Sequence, residues 1–235
     1  MDLFWRRGNK KINGIFRVFS LLAVFFLFCY LSVRKRYLAA TILLLLASFF
    51  SLAFRFEKRR RSPREMVLLA ILAAAAAVGR LPFAALPSVQ PTTFLIILTG
   101  AAYGPGSGFT VGSLAAVVSN LFLGEGPWTP WQMIAWGFIG LFSGWLRNSF
   151  LLTALPGRIC FGLFCGFFFG WLMNLWMVIS LMKTMSASQI LAFYMASFPF
   201  DFAHGLTNAF LLGTFWNSWW KVLNRFRQKY GIFGG

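Results

Sequence analysis

Asn120–Gly140, NLFLGEGPWTPWQMIAWGFIG, joins two apolar runs through the tight segment Gly124, Glu125, Gly126, Pro127, Trp128, Thr129 and Pro130. Glycine and proline end the first helix and set the start of the second, and Trp128 and Trp131 are of the type that gathers at a membrane–water boundary. The loop therefore marks one surface of a bilayer. The runs on either side of it read as membrane helices.

Composition supports that reading over the whole chain. Of 235 residues, 59% are hydrophobic and 11% charged, and the mean hydropathy is +0.71, whereas a soluble domain carries about 25% charged residues. A net charge of +17 would suggest nucleic acid in a soluble protein. Here the basic residues sit in clusters between apolar runs, as orienting charges and lipid headgroup contacts do, so no nucleic-acid partner is expected. Cys29, Cys160 and Cys165 lie inside apolar runs without pairing or metal spacing and read as packing residues.

Outward from the loop, the chain divides into a basic arm, a hairpin, a linker and a body. Met1–Lys11 is the arm; Ile15–Val33 is long enough to cross a hydrocarbon core, and Tyr37–Phe54 follows Arg34, Lys35 and Arg36. Residues 1–54 are thus expected to form the basic arm and a two-helix membrane hairpin. The triplet also leaves open a hairpin that lies in the interface. Arg55–Arg64, RFEKRRRSPR, is the densest charge block, so residues 55–63 read as a linker, with Ser62 and Pro63 placed to start a helix. Residues 64–227 form the body and 228–235 a C-terminal tail. The body's apolar segments are Arg64–Leu81, Gln90–Tyr103, Ser107–Leu123, Trp131–Leu146, Arg158–Met182 and Ser188–Trp220. The second is short: at about 1.5 Å per residue it rises only about 21 Å, against a core about 30 Å thick. The fold class is an all-α polytopic membrane protein, a six-helix bundle preceded by a hairpin.

With the N-terminus inside, only Arg34, Lys35, Arg36, Arg80 and Lys183 of the 22 Lys and Arg fall on the outer side. This asymmetry places both termini in the cytoplasm of a multi-pass cell-membrane protein. Polar residues can then be ranked by depth. Asn174 lies about 24 Å up its helix from Arg158, and Asp201 about 20 residues back from Lys221 reaches the outer edge, with His204 one turn deeper. Gln90, Asn120, Glu125, Gln132 and Arg80 also end their segments on that side. The expected shape is a cup that opens outward.

Ser197, Asp201, His204 and Asn208 are spaced i, i+4, i+7 and i+11 on one helical face. Ionisable groups in membrane segments face a protein interior or a cavity. That leaves an Asp201–His204 pair satisfying itself between helices, a stripe exposed above the membrane, or contact with a bound solute, whereas a proton relay calls for more buried acids than a chain with five acidic residues supplies. On the first body helix Ala70, Ala74 and Ala77 fall at i, i+4 and i+7, a smooth face on which another helix can approach closely, either within the chain or from a partner.

Other chemistry is missing. Gly100–Gly108, GAAYGPGSG, lacks the Gly-Lys-Ser/Thr end of a phosphate loop and reads as a helix–turn–helix junction. One histidine, with no acids at ligand spacing and no activated Ser or Cys, points away from a metal site and from an enzyme. No intrinsic cofactor is expected.

Arg64–Arg227 resembles the substrate-binding S component of energy-coupling factor vitamin transporters, in its six helices with cytoplasmic ends, its alanine face and the NLFLGEGPWTPWQMIAWGFIG stretch. The hairpin lies outside that pattern. The resemblance implies a subunit that captures a vitamin from outside. Its alanine face, here Ala70, Ala74 and Ala77, docks on a transmembrane coupling (T) subunit. Two separate ATP-binding cassette ATPases consume ATP. The GPWTPWQ loop is similar to that of S components for cobalamin or a related corrinoid. Such a ligand suits aromatic planes at Trp128, Trp131, Trp136 and Trp171, and side-chain amides, although tryptophans at these depths also serve as interface anchors. The expected solute-binding residues are Gln90, Asn120, Glu125, Trp128, Gln132, Asn174, Asp201 and His204. A stand-alone secondary transporter and a non-catalytic membrane scaffold are the alternatives; no inverted repeat supports the first.

Overall fold

A computed structural model describes residues 63–181 and 185–232, together with 23–24, 26–37, 39–40, 42–44 and 46–47. The basic arm, most of the linker and Lys183 lie outside the described residues. In the body, α1 is Pro63–Val78, followed by a 3-10 turn Leu81–Phe83; α2 is Thr92–Tyr103, α3 Pro105–Leu123, α4 Thr129–Trp145, α5 Phe150–Thr153, α6 Leu155–Leu181, α7 Ala187–Thr214 and α8 Trp216–Tyr230. The described residues contain no strand. The chain is an all-α membrane protein, and Pro63–Phe83, Pro105–Leu123 and Leu155–Ile179 are long and apolar enough to cross a bilayer.

The shortness of the second segment now has a physical reason. Every residue of α2 is buried, and α1, α3, α4, α7 and α8 all touch it. A helix apolar on all sides belongs inside other helices, and one so enclosed is not required to match the bilayer itself. Pro63 starts α1 with Glu65 in its first turn, where a fixed φ and a negative charge both suit a helix N-terminus. Gly104, at φ 91, ends α2, and Pro105 opens α3, which makes GAAYGPGSG the junction that its glycines predict.

Two helix pairs are held unusually close by small residues. A Cβ on Gly108 would overlap the Gly140 carbonyl, one on Gly112 would meet the Trp136 backbone, and one on Gly144 would meet Pro105, so α3 and α4 pack backbone to backbone. On α6, Gly162, Gly166 and Gly170 recur every fourth residue and face Ala209, Gly205 and Asp201 of α7. Lipid gives helices no hydrophobic reason to associate, so this closeness and its dispersion contacts hold the pairs together. Hydroxyls of Thr99, Thr110, Ser143 and Thr207 bond back to carbonyls one turn earlier, which satisfies them inside apolar surroundings.

Two expectations change. The segment read as Ser188–Trp220 is two helices, because α7 ends at Thr214 and α8 begins at Trp216. α7 alone has 28 residues, about 42 Å of rise, more than a bilayer core requires. The amphipathic residues that follow bury Trp216 and Leu223 and expose Lys221 and Arg225, a pattern that cannot continue through lipid. α8 runs to Tyr230 and closes on Gly231 at φ 59. Finally, Trp131 is 5% exposed and packs edge-on to Phe28, ring centroids 5.0 Å apart. It is a contact between body and hairpin, not an interface anchor. Phe28, Ala40 and Leu44 join the same core, on either side of a turn at Arg34 and Lys35.

α8 is tied to α2 by the Tyr103 hydroxyl, which donates to the Leu223 carbonyl at 3.0 Å. Replacing Tyr103 with Phe should lower stability by about 1 kcal/mol, the net value of one such bond, read as a modest fall in melting temperature with the helix content unchanged. An unchanged melting temperature would mean that this bond does not hold α8.

Candidate functional site

The polar residues at the Gly124–Trp128 end of the bundle form one hydrogen-bonded network. Asn120, near the end of α3, is its centre: its Oδ1 accepts from Arg80 Nη1 at 2.8 Å, and its Nδ2 donates to Thr129 Oγ1 at 2.8 Å and to Gln132 Oε1 at 2.7 Å. Thr129 in turn donates to Glu125 Oε2 at 2.6 Å, and the Gly126 N–H donates to the Thr129 hydroxyl. Arg80 also donates from Nε to Gln90 Oε1 at 3.0 Å and from Nη1 to Ser119 Oγ at 2.9 Å. Residues from α1's end, the α2 approach, α3, the loop and α4 are thereby joined. Thr129, Asn120 and Gln132 are buried, whereas Glu125 is exposed and Trp128 is half-buried, its ring folded over Gly126.

A second step leads inward from the same cluster. The Arg80 guanidinium carbon lies 5.3 Å from the centroid of Trp136, within the range of a cation–π contact. The Trp136 indole N–H donates to Thr93 Oγ1 at 3.0 Å, and the Thr93 hydroxyl lies 2.8 Å from His204 Nε2. Phe169 packs tilted against Trp136, ring centroids 4.7 Å apart, and edges onto the His204 ring. His204 is thus reached through α2 and α4.

The Asp201–His204 pair does not form, although both lie on one face of α7. Asp201 is buried, and its Oδ2 lies 3.1 Å from the Ser197 hydroxyl, which also receives Asn174 Nδ2 at 2.6 Å. The pair fails because Thr93 lies within reach of the histidine and because Ser197 sits one helical turn from Asp201. Gly170 of α6 is the reason the carboxylate fits between the helices, since any side chain there would overlap it. Asn208, last in the stripe, is fully buried and lies against Gly162.

Of the eight solute-binding candidates, Gln90, Asn120, Glu125 and Gln132 therefore share one network, and Trp128 sits in the loop above it. Asn174 and Asp201 form a separate group on α6 and α7, and His204 is joined to the Arg80 side through Thr93 and Trp136. Thr93, Ser119 and Thr129 complete the network without having been singled out as site residues, and Trp136, expected only as an aromatic plane for the ligand, joins them through its indole N–H. Arg80 carried a sequence signal that was there to use, since it is the sole charged residue between Glu65 and Glu125. The hydroxyls carried none, because isolated Ser and Thr occur throughout membrane helices.

The alanine face is narrower than the spacing suggested. Ala70 and Ala74 are exposed together with Val67, Ile71 and Val78. Ala77 is 1% exposed and belongs to the inner face with Ala73 and Ala76, where the Thr92 hydroxyl bonds to the Ala76 carbonyl. At about 100° per residue position 77 lies only about 20° from the exposed position 70, so its burial comes from the packing around that end of α1 and not from helical phase.

A family model described as ECF transporter, substrate-specific component, matches residues 64–223. UPF0397 proteins of Aliivibrio fischeri and Aliivibrio salmonicida are 33% identical over 88 residues, which is 35% of this chain and 48% of theirs. A UPF0397 protein of Vibrio atlanticus is 32% identical over 103 residues, 40% of this chain and 57% of its own. The chain spans about half the length of the curated relatives it matches. No solved structure matches it.

Proposed function

The chain belongs to the family of substrate-specific components of energy-coupling factor (ECF) transporters, and from that premise we propose that it captures a vitamin-type solute in the end of the bundle closed by the Gly124–Trp128 loop. Membership makes it a membrane transport subunit that works with T and ATPase modules, and that family is one of transport subunits and not of catalysts. The observation that carries the site is the partly buried network around Asn120, in which five separate parts of the chain contribute hydrogen-bonding groups at one end of a largely apolar bundle. Polar groups are costly in such a setting, so their concentration there is best explained by a polar solute. Asn174, Asp201 and His204 extend the same site from α6 and α7.

In this reading the loop end faces outward, both termini are cytoplasmic, residues 64–227 are the capturing domain, and the T subunit meets the exposed face that holds Ala70 and Ala74. The cofactor ATP is used by the separate ATPase subunits. A corrinoid such as cobalamin is the favoured solute, for the amides of Gln90, Asn120, Gln132 and Asn174 and the aromatic planes of Trp128 and Trp136.

The experiment is retention. The full chain, purified gently from cells or incubated with a cell extract, should hold a vitamin-class small molecule without ATP, identified by mass spectrometry. Asp201→Ala and Asn174→Ala should each weaken retention by roughly 10-fold, as expected for the loss of one polar contact to a buried ligand, with melting temperatures close to wild type. Undiminished retention in both variants removes α6 and α7 from the site. Ion-driven uptake by this chain alone in liposomes would overturn the need for partners.

A further inference from the structure

Arg80 is a cation that its surroundings hold in place without neutralising. A guanidinium offers five N–H groups; three of Arg80's point at Gln90, Ser119 and Asn120, and all three acceptors are neutral oxygens. Its Nη2 has no acceptor among the described residues. Glu125, the acid of the same network, connects to it only through Thr129 and Asn120. The face of Trp136 offsets part of the desolvation, but a half-buried positive charge is poorly compensated by neutral partners alone.

The neighbours also fix its direction. Asn120 uses Oδ1 for Arg80 and both Nδ2 hydrogens for Thr129 and Gln132, so its amide cannot turn without breaking the network. The amide nitrogens of Gln90 and Gln132 have no acceptor among the described residues either. The site therefore holds a surplus of N–H donors and one uncompensated positive charge. The chemical complement of such a set is an anionic oxygen group, which guanidinium recognises with short charge-assisted bonds.

We propose that Arg80 binds a carboxylate or phosphate group of the captured solute through Nη2, with the amide nitrogens of Gln90 and Gln132 as supporting donors. This rests on the solute-capture reading given above and narrows its substrate class to solutes that carry such a group. A corrinoid with a nucleotide loop meets the requirement through its phosphodiester; one without the loop does not.

The test is competition between matched solutes. The full chain in nanodiscs is dialysed against an equimolar mixture of biotin and biotinamide, nicotinate and nicotinamide, pyridoxal phosphate and pyridoxal, and cobalamin and cobinamide, and the bound fraction is quantified by mass spectrometry. The member carrying the carboxylate or phosphate should be favoured by roughly 10- to 100-fold, the value of a hydrogen bond to a charged group. Arg80→Gln should erase the preference, and Arg80→Lys, which keeps the charge but loses the planar fork, should retain part of it. The Lys variant alone decides should the Gln variant not fold, and an unchanged preference in it overturns the proposal.

Equal binding of charged and neutral partners by wild type, or a folded Arg80→Gln that keeps the preference, likewise overturns the role of Arg80 while leaving solute capture intact. If wild type holds an extract solute but none of the mixture, the charge of that solute decides, and a neutral or cationic one overturns the proposal. Retention of nothing in either experiment overturns both readings.

Discussion

Gly140→Leu should yield almost no monodisperse protein on detergent size exclusion. A Cβ at Gly140 would overlap the backbone of Gly108, and one at Gly108 or Gly100 would overlap the Gly140 carbonyl. Three helices, α2, α3 and α4, therefore converge on this residue. The atoms in the way are backbone, so no rotamer change can relieve the clash and whole helices must separate. Overpacking that side chains can absorb costs about 1–3 kcal/mol, and moving a helix axis exceeds that range. Separation would also pull Asn120 on α3 away from Thr129 and Gln132 on α4, and the polar network would be lost with the packing. Gly213, which has only ordinary contacts with Leu155 and Ile159, is the control: Gly213→Ala should fold normally. A stable, monodisperse Gly140→Leu would show that the α3–α4 approach is not what holds the bundle.

Ala74→Leu should abolish transport in cells while leaving the isolated subunit intact. Ala74 is exposed on α1 beside Ala70, Val67, Ile71 and Val78, so a larger side chain meets nothing inside the bundle, and solute retention and melting temperature should match wild type. A partner helix that lies against a flat face would meet the new side chain directly. An overpacking penalty of about 1–3 kcal/mol at that contact weakens it roughly 5- to 150-fold, and uptake should fall towards the level of cells without the chain. Ala77→Leu is the informative contrast, because Ala77 is buried: it should lower the yield of folded protein, and with it solute retention. Normal uptake by Ala74→Leu would remove this face from docking and send the search to another surface.

Much of this molecule was legible in the residues. The apolar runs, the turn at Gly124–Pro130 and the junction at Gly104–Pro105 depend on local chemistry, on glycine, proline and hydropathy, and those properties survive without knowledge of neighbours. The clustering of Gln90, Asn120 and Gln132 was also readable, since each ends its segment on the same side and helical rise alone carries them to a common depth. Burial could be misjudged for the opposite reason. Trp131 and Ala77 have the residue types of an interface anchor and a docking face, yet Phe28 covers the first and the packed interior buries the second, and coverage is a property of other parts of the chain.

The sequence by itself determined that this is a helical membrane protein with polar residues gathered towards one end, because side-chain hydropathy and helix geometry act within each segment. Only the tertiary structure decided who bonds to whom: that Asp201 turns to Ser197 and His204 to Thr93, that Arg80 rests on Trp136 beside three neutral acceptors, and that the last run breaks after Thr214. Hydrogen bonds act over about 3 Å, and which groups come within that distance depends on how closely glycine lets helices approach, a quantity set jointly by residues far apart in the chain.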